Sequence, residues 1–256
     1  MASHFLLEMK DISKNYGGVV ALHNVDLQLR YNEILAIVGD NGAGKSTLMK
    51  IASGAILPDS GKTFFEGKEV TIRNPQDSLS LGMQMCYQDL AMINCLDIPN
   101  NLFMGREISR KFLPFVHFLD KKKMRQRSYE HLGGLGISVP YIREKVGNLS
   151  GGQRQVIAIS RAVYWGTKLI ILDEPTAALG VKESGRVLDL IRTLKEKDHS
   201  VIIISHNLQH IFSVADRVMV LRRGENAGDR IIKETDGDEV VKLITGAEFS
   251  GQELST

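Results

Sequence analysis

The sequence of 256 residues is poor in cysteine, with only Cys86 and Cys95. Two cysteines without metal-type spacing exclude a zinc ligand set or a disulfide framework, and both read as small core residues. Long hydrophobic runs are also missing. The longest, such as VIII over 201–204, fall far below the roughly 18 residues that a spanning helix needs. The opening MASHFLLEMKD has neither the basic start nor the apolar stretch of a secretory signal, so the expectation is a cytoplasmic chain not itself embedded in a membrane. Neither sign of charge dominates. With Lys+Arg 32 against Asp+Glu 30, there is no general electrostatic reason to expect nucleic-acid binding, and an anionic ligand must be held by local geometry. There is no internal repeat. The length suits one large domain, or a core with an inserted subdomain.

What is present is an alternation of apolar β-type runs with helical patterns. FLLEMKDI (5–12) and the alternating Val25, Leu27 and Leu29 read as strands, and ILAIV (34–38) as a buried one. LIIL (169–172), VIIIS (201–205) and RVMVL (217–221) follow the same pattern. Short apolar strands separated by helices predict an α/β fold with a parallel sheet covered on both faces. Residues 89–147 have little strand character, and DKKKMRQRSYEHLGGLGI predicts a helix with Asp120 as N-cap. The segment reads as a helical insertion in the α/β core.

Two glycine-rich turns open into helices. GDNGAGKST (39–47) fits G-x-x-x-x-G-K-[ST] through Gly39, Gly44, Lys45 and Ser46, after a strand and before a helix. In this motif glycines let backbone N–H groups approach phosphate, the lysine reaches the β- and γ-phosphates, and the hydroxyl ligates Mg²⁺. KLIILDEPTAAL (168–179) supplies an apolar strand ending on two acids. Asp173 is placed to hold Mg²⁺ and Glu174 to polarise the attacking water. The second glycine turn, NLSGGQRQ (148–155), lies about a hundred residues beyond the first. A helix start of that kind also presents bare N–H groups to an anion.

With these three motifs in this order, the chain resembles the ATP-binding cassette (ABC) family of transport ATPases from Tyr16 to about Gly246. The resemblance implies a P-loop NTPase core of RecA-like type, with an N-terminal antiparallel β subdomain and an inserted α-helical subdomain. Residues 1–246 would be one ATPase domain, with 1–88 and 148–246 as core, 89–147 as the helical insertion and 247–256 as a tail. It also implies that two cassettes pack head to tail, each ATP lying between the P-loop of one and the LSGGQ turn of the other. One chain would then hold two half-sites. ATP would contact Tyr16, through adenine stacking, and Gly39, Asp40, Asn41, Gly42, Ala43, Gly44, Lys45, Ser46 and Thr47 in the loop. The partner's ATP would meet Ser150, Gly151, Gly152 and Gln153. Gln88 matches the glutamine that contacts metal and water and shifts with the permease, and His206 the histidine on the γ-phosphate. Catalysis would rest on Glu174, His206, Gln88 and Lys45, and Mg²⁺ on Ser46, Gln88 and Asp173.

Most family members read SALD after the catalytic acid, where this chain has AALG and so Gly180 in place of an aspartate. TAALGVKES (176–184) resembles cassettes of monosaccharide importers of the ribose, xylose and fructose type. The implied partners are a second copy of the chain, integral membrane permease subunits at the cytoplasmic face of the membrane and, indirectly, a sugar-binding protein; no nucleic acid is expected. A cassette ATPase acting as a clamp on DNA or ribosomes is the alternative. It would call for coiled-coil arms, zinc motifs or a second cassette. A small-molecule phosphotransferase would leave LSGGQ and His206 without a role. Within the insertion, the apolar cluster KFLPFVHFLD (111–120) is expected to pack inside it, and Lys121, Lys122, Lys123, Arg125 and Arg127 to form a solvated face.

Overall fold

The computed structural model describes residues 4–113, 116–138 and 141–247. Its contacts divide the chain into two compact units, residues 1–75 with 204–256, and residues 76–203.

In the first unit, strands β1 (Phe5–Tyr16) and β2 (Val19–Arg30) pair antiparallel. After β3 (Ile34–Val38) and α1 (Lys45–Ala52), β4 (Ser60–Phe65) returns antiparallel to β1 and β5 (Lys68–Val70) pairs with β4. The result is the antiparallel sheet β2-β1-β4-β5. Along β2 every second residue from Val25 to Leu29 is buried, the period-2 signature of a sheet with one dry face.

The second unit begins with α2 (Pro75–Leu81) and β6 (Met83–Cys86), followed by α3 (Ile98–Leu102). A hairpin, β7 (Ser109–Leu113) and β8 (Val116–Leu119), then leads into α4 (Lys121–Gly134). Helix α5 (Gly151–Tyr164), β9 (Leu169–Asp173), α6 (Val181–Glu196) and β10 (Ser200–Ile204) complete it. β6 runs parallel to β9, and β10, β9 and β6 are neighbours in that order. α3, α4 and α5 share a core of Ile98, Leu102, Phe103, Met124, Leu132 and Ile157.

The chain returns to the first unit with α7 (Leu208–Val214), β11 (Arg217–Arg222), β12 (Glu225–Ile231) and α8 (Gly237–Thr245). β11 lies parallel to β3 and antiparallel to β12. Ala36, Val38, Val218 and Val220 of these strands pack with Ile211 of α7 and Val240 of α8. All five residues of β3 are buried, as expected of a strand covered on both faces.

The strands read from the apolar runs form at the expected places, and Asp120 caps α4 by accepting from the Lys123 N–H at 3.0 Å. Lys121, Lys122, Lys123 and Arg127 are exposed while Met124, Ser128 and Leu132 turn inward, so the basic run is a solvated face. The apolar cluster at 111–120 behaves differently. Pro114 and Phe115, and the side chains of Phe112, Leu113 and Val116, lie outside the described residues; the flanking chain is a hairpin in which Phe118 and Leu119 are exposed. Aromatic and β-branched residues favour a pleated strand, and a two-stranded ribbon cannot bury both of its faces. Cys95 is exposed as well, and so is not a core residue. Cys86 is partly covered, and burial pushes its thiol up to about 12, which keeps it protonated and unreactive at neutral pH.

Candidate nucleotide site

In the first unit, β3 delivers the chain into the glycine loop and α1 carries it away. Gly39, Gly42 and Gly44 have φ of 149°, 83° and 98°, in the region that L side chains avoid. A Cβ on Gly39 would stand 2.1 Å from the Leu221 carbonyl oxygen, and one on Gly44 would stand 2.7 Å from that of Ala21. These two glycines are demanded by the close approach of β11 and β2. Around Gly42 a Cβ would meet nothing within 4 Å, so that position is open to a ligand.

Lys45 is buried, and its ammonium donates to the carbonyls of Gly39 at 2.7 Å and Asp40 at 2.9 Å. The loop is thereby closed on its own lysine. Gly44 is the N-cap of α1 and provides no side-chain cap, so the first-turn amides are offered outward beside a fixed positive charge. Ser46 is exposed and Thr47 half-buried in that turn. The residues fit a triphosphate: a cradle a side chain would fill, uncapped amides and a buried cation. Tyr16, at the end of β1, is 48% exposed, with the Lys14 ammonium 5.8 Å from its ring centroid. His206 is exposed between β10 and α7, one residue before the α7 cap Asn207.

In the second unit, Asp173 closes β9 and Glu174 follows with φ 49°. A glutamate in the left-handed region is strained by about 1–2 kcal/mol. Four buried residues, 169–172, precede the half-buried pair, so the two acids stand where the apolar strand runs out. Gln88 is exposed two residues beyond β6. Among the described residues no group of three or more His, Cys, Asp or Glu could hold a metal. Ser46, Gln88 and Asp173 each carry an oxygen donor of the kind that Mg²⁺ takes.

The LSGGQ turn starts α5 with a capping box: the Ser150 hydroxyl accepts from the Gln153 N–H at 3.3 Å, and the Gln153 side chain accepts from the Ser150 N–H at 2.9 Å. Sequence reading did not foresee its neighbour. A Cβ on Gly152 would stand 2.7 Å from Cβ of Glu183, in the first turn of α6. Hydrogen bonds from the Ser150 hydroxyl, then from the Gly152 and Gly180 amides, together with the Arg186 charge, hold the Glu183 carboxyl below its usual range against the opposing effect of burial. One carboxylate thus serves two helix starts. Its signal was present: Glu183 is the N3 residue after the cap position Gly180, where a glutamate reaches back to the cap. Gly180 itself offers no side-chain cap.

A buried strand, a glycine loop and a helix start closed by a buried lysine define a P-loop nucleotide-binding protein. More narrowly, the chain belongs to the ABC transporter family, whose profile matches residues 22–177. It is 48% identical to a xylose/arabinose import ATP-binding protein of Sulfolobus acidocaldarius over 94% of each chain. Identity to a fructose import ATP-binding protein of Rhizobium meliloti is 42% over 96% of each. With a ribose import ATP-binding protein of Caldanaerobacter subterraneus it is 40%, covering 95% of this chain but 48% of that one. Among solved structures, the ADP conformation of an ATP-binding cassette of an ABC transporter superposes with a TM-score of 0.81 at 25% identity, covering 96% of this chain and 100% of the other. The expected fold class is thereby met, and the chain is an ATP-binding, ATP-hydrolysing cassette. No helix among the described residues is long and apolar enough to cross a membrane.

Proposed function

We propose that this cassette energises the import of a monosaccharide through a separate membrane permease, working at the cytoplasmic face of the membrane. The observation that carries the reading is the 48% identity to the xylose/arabinose import protein, spanning 94% of both chains. TAALGVKES in this sequence points to the same group. The chain spans about half the length of the ribose import relative.

In this reading Tyr16 stacks on adenine, and the loop residues 39–47 surround the phosphates. Lys45 neutralises the β- and γ-oxygens. Ser46, Gln88 and Asp173 would hold Mg²⁺, which when bound screens phosphate charge. Glu174 takes a proton from the attacking water and His206 positions the γ-phosphate. Ser150, Gly151, Gly152 and Gln153 close over the nucleotide of the second copy. Residues 1–88 and 148–246 form the core of the cassette, with 89–147 as its insertion.

The test is ATP hydrolysis by the cassette reconstituted with its permease in liposomes. A periplasmic-type binding protein loaded with a pentose or hexose should raise the rate. Stimulation by DNA or ribosomes, with no response to any loaded sugar-binding protein, would favour the clamp reading.

A further inference from the structure

Helix α5 carries more than the Ser150–Gln153 turn. About three turns on, the Arg161 guanidinium donates from Nη1 to the Ala91 carbonyl and from Nη2 to the Leu90 carbonyl, each at 3.0 Å. These consecutive carbonyls lie two and three residues past Gln88. A planar fork with two fixed donors matches two neighbouring acceptors in a way that a lysine ammonium does not.

The loop it grips holds one residue in a strained backbone, with the Ala91 N–H donating to the Asp89 carboxylate at 3.3 Å. Ala91 has φ 46°, a conformation that residues with a Cβ avoid. The far side is clamped separately: buried Asn101 accepts from the Ile93 N–H at 2.9 Å and donates to its carbonyl at 3.1 Å. Arg161 is half-buried, and burial presses its pKa downward. Hydrogen bonds to a charge shielded from water are stronger than the same bonds at the surface.

We propose that Arg161 is a positioning residue that fixes the loop after Gln88 to the helix beginning at Ser150–Gln153, so that Gln88 and the LSGGQ turn are set as one body. This rests on the reading above in which both act on nucleotide. Displacement of the Gln88 loop by a permease is then passed to the far end of α5, through a helix whose inward residues, including Val156, Ile157, Ile159 and Ala162, are buried.

The experiment compares Arg161→Lys, Gln88→Ala and the double variant in the full chain, by steady-state MgATP hydrolysis, thermal midpoint and hydrogen exchange. Loss of the bidentate grip should lower kcat about tenfold, with KM for ATP within about twofold because the loop at 39–47 is untouched. The double variant should be no slower than Gln88→Ala, since both changes act through one group. Amides 89–93 should exchange faster in Arg161→Lys. A residue that merely stabilised the fold would instead lower the thermal midpoint and add its loss to that of Gln88→Ala, and additive losses overturn the proposal. So does normal turnover in Arg161→Lys beside a slow Gln88→Ala. Normal turnover in Gln88→Ala overturns the reading of Gln88 and the coupling together. If Arg161→Lys does not fold, Arg161→Gln takes its place under the same criteria.

Discussion

Glu174 combines a left-handed backbone with a place at the end of a buried strand. Strain of this kind persists only where surrounding structure imposes it, and here it turns an acid out of the strand direction. Glu174→Gln keeps the shape and removes the proposed base. Turnover should fall by about 10²- to 10⁴-fold while MgATP binding persists, as read by single-turnover hydrolysis and nucleotide titration. Near-normal turnover would remove Glu174 from its role. At this scale the local geometry was legible, because a P-loop needs specific residue types at fixed offsets, and Gly39, Gly44 and Lys45 lead from β3 into α1 with the left-handed glycines and buried lysine such a loop needs. Arg161 was not, and Glu183 only in part. The partners of Arg161 are backbone carbonyls 70 and 71 residues away, at Ala91 and Leu90, which leave no trace in a sequence; Glu183 carries a local signal as N3 of α6, but its contact with Gly152 on α5 leaves none.

β3 could be read because burial on both faces imposes an unbroken apolar run, and α4 because Asp120 stands as a cap at its start. The β7–β8 hairpin could not be read that way, since Phe118 and Leu119 are apolar yet exposed and so follow no burial pattern. Helix packing adds a titratable group. His131 of α4 sits 2.7 Å from the Ser160 carbonyl on α5, which requires an N–H on Nε2, and its ring packs edge-on to Tyr164. Burial lowers its pKa from 6.5, partly opposed by the Ser160 bond, with His199 adding to the fall. A histidine whose folded pKa is depressed binds a proton less readily folded than unfolded, so its contribution is complete above about pH 6.5 and is lost as pH falls through the folded value. Urea midpoints should therefore drop between pH 7.5 and 5.5. In His131→Gln, which keeps a donor but does not titrate, the drop should be smaller; an equal drop would assign it to other groups.

At the scale of the whole molecule, the proposed reading has the two helix starts of one chain serve different nucleotides. Lys45→Ala should disable a chain's own loop and Gly152→Asp should disable the half-site offered to its partner. The aspartate would also press on Glu183 of its own chain, since a Cβ at Gly152 already stands 2.7 Å from that side chain. Each homodimer should be nearly inactive. Mixed under exchange conditions, roughly half of the dimers combine the two lesions on one site and leave the other whole, so about a quarter of all sites are intact. ATP-dependent closure followed by gel filtration should recover to that ceiling, and a tag-verified mixed dimer that binds ATP without closing would refute the trans site. Because the Lys45 ammonium is already seated on two carbonyl oxygens, an arriving phosphate does not recruit a wandering side chain; it competes for a donor that never left its post. Much of the ordering cost then falls in folding rather than in the encounter. A loop so arranged is held in shape by its own lysine, so a nucleotide meets a cation already in place.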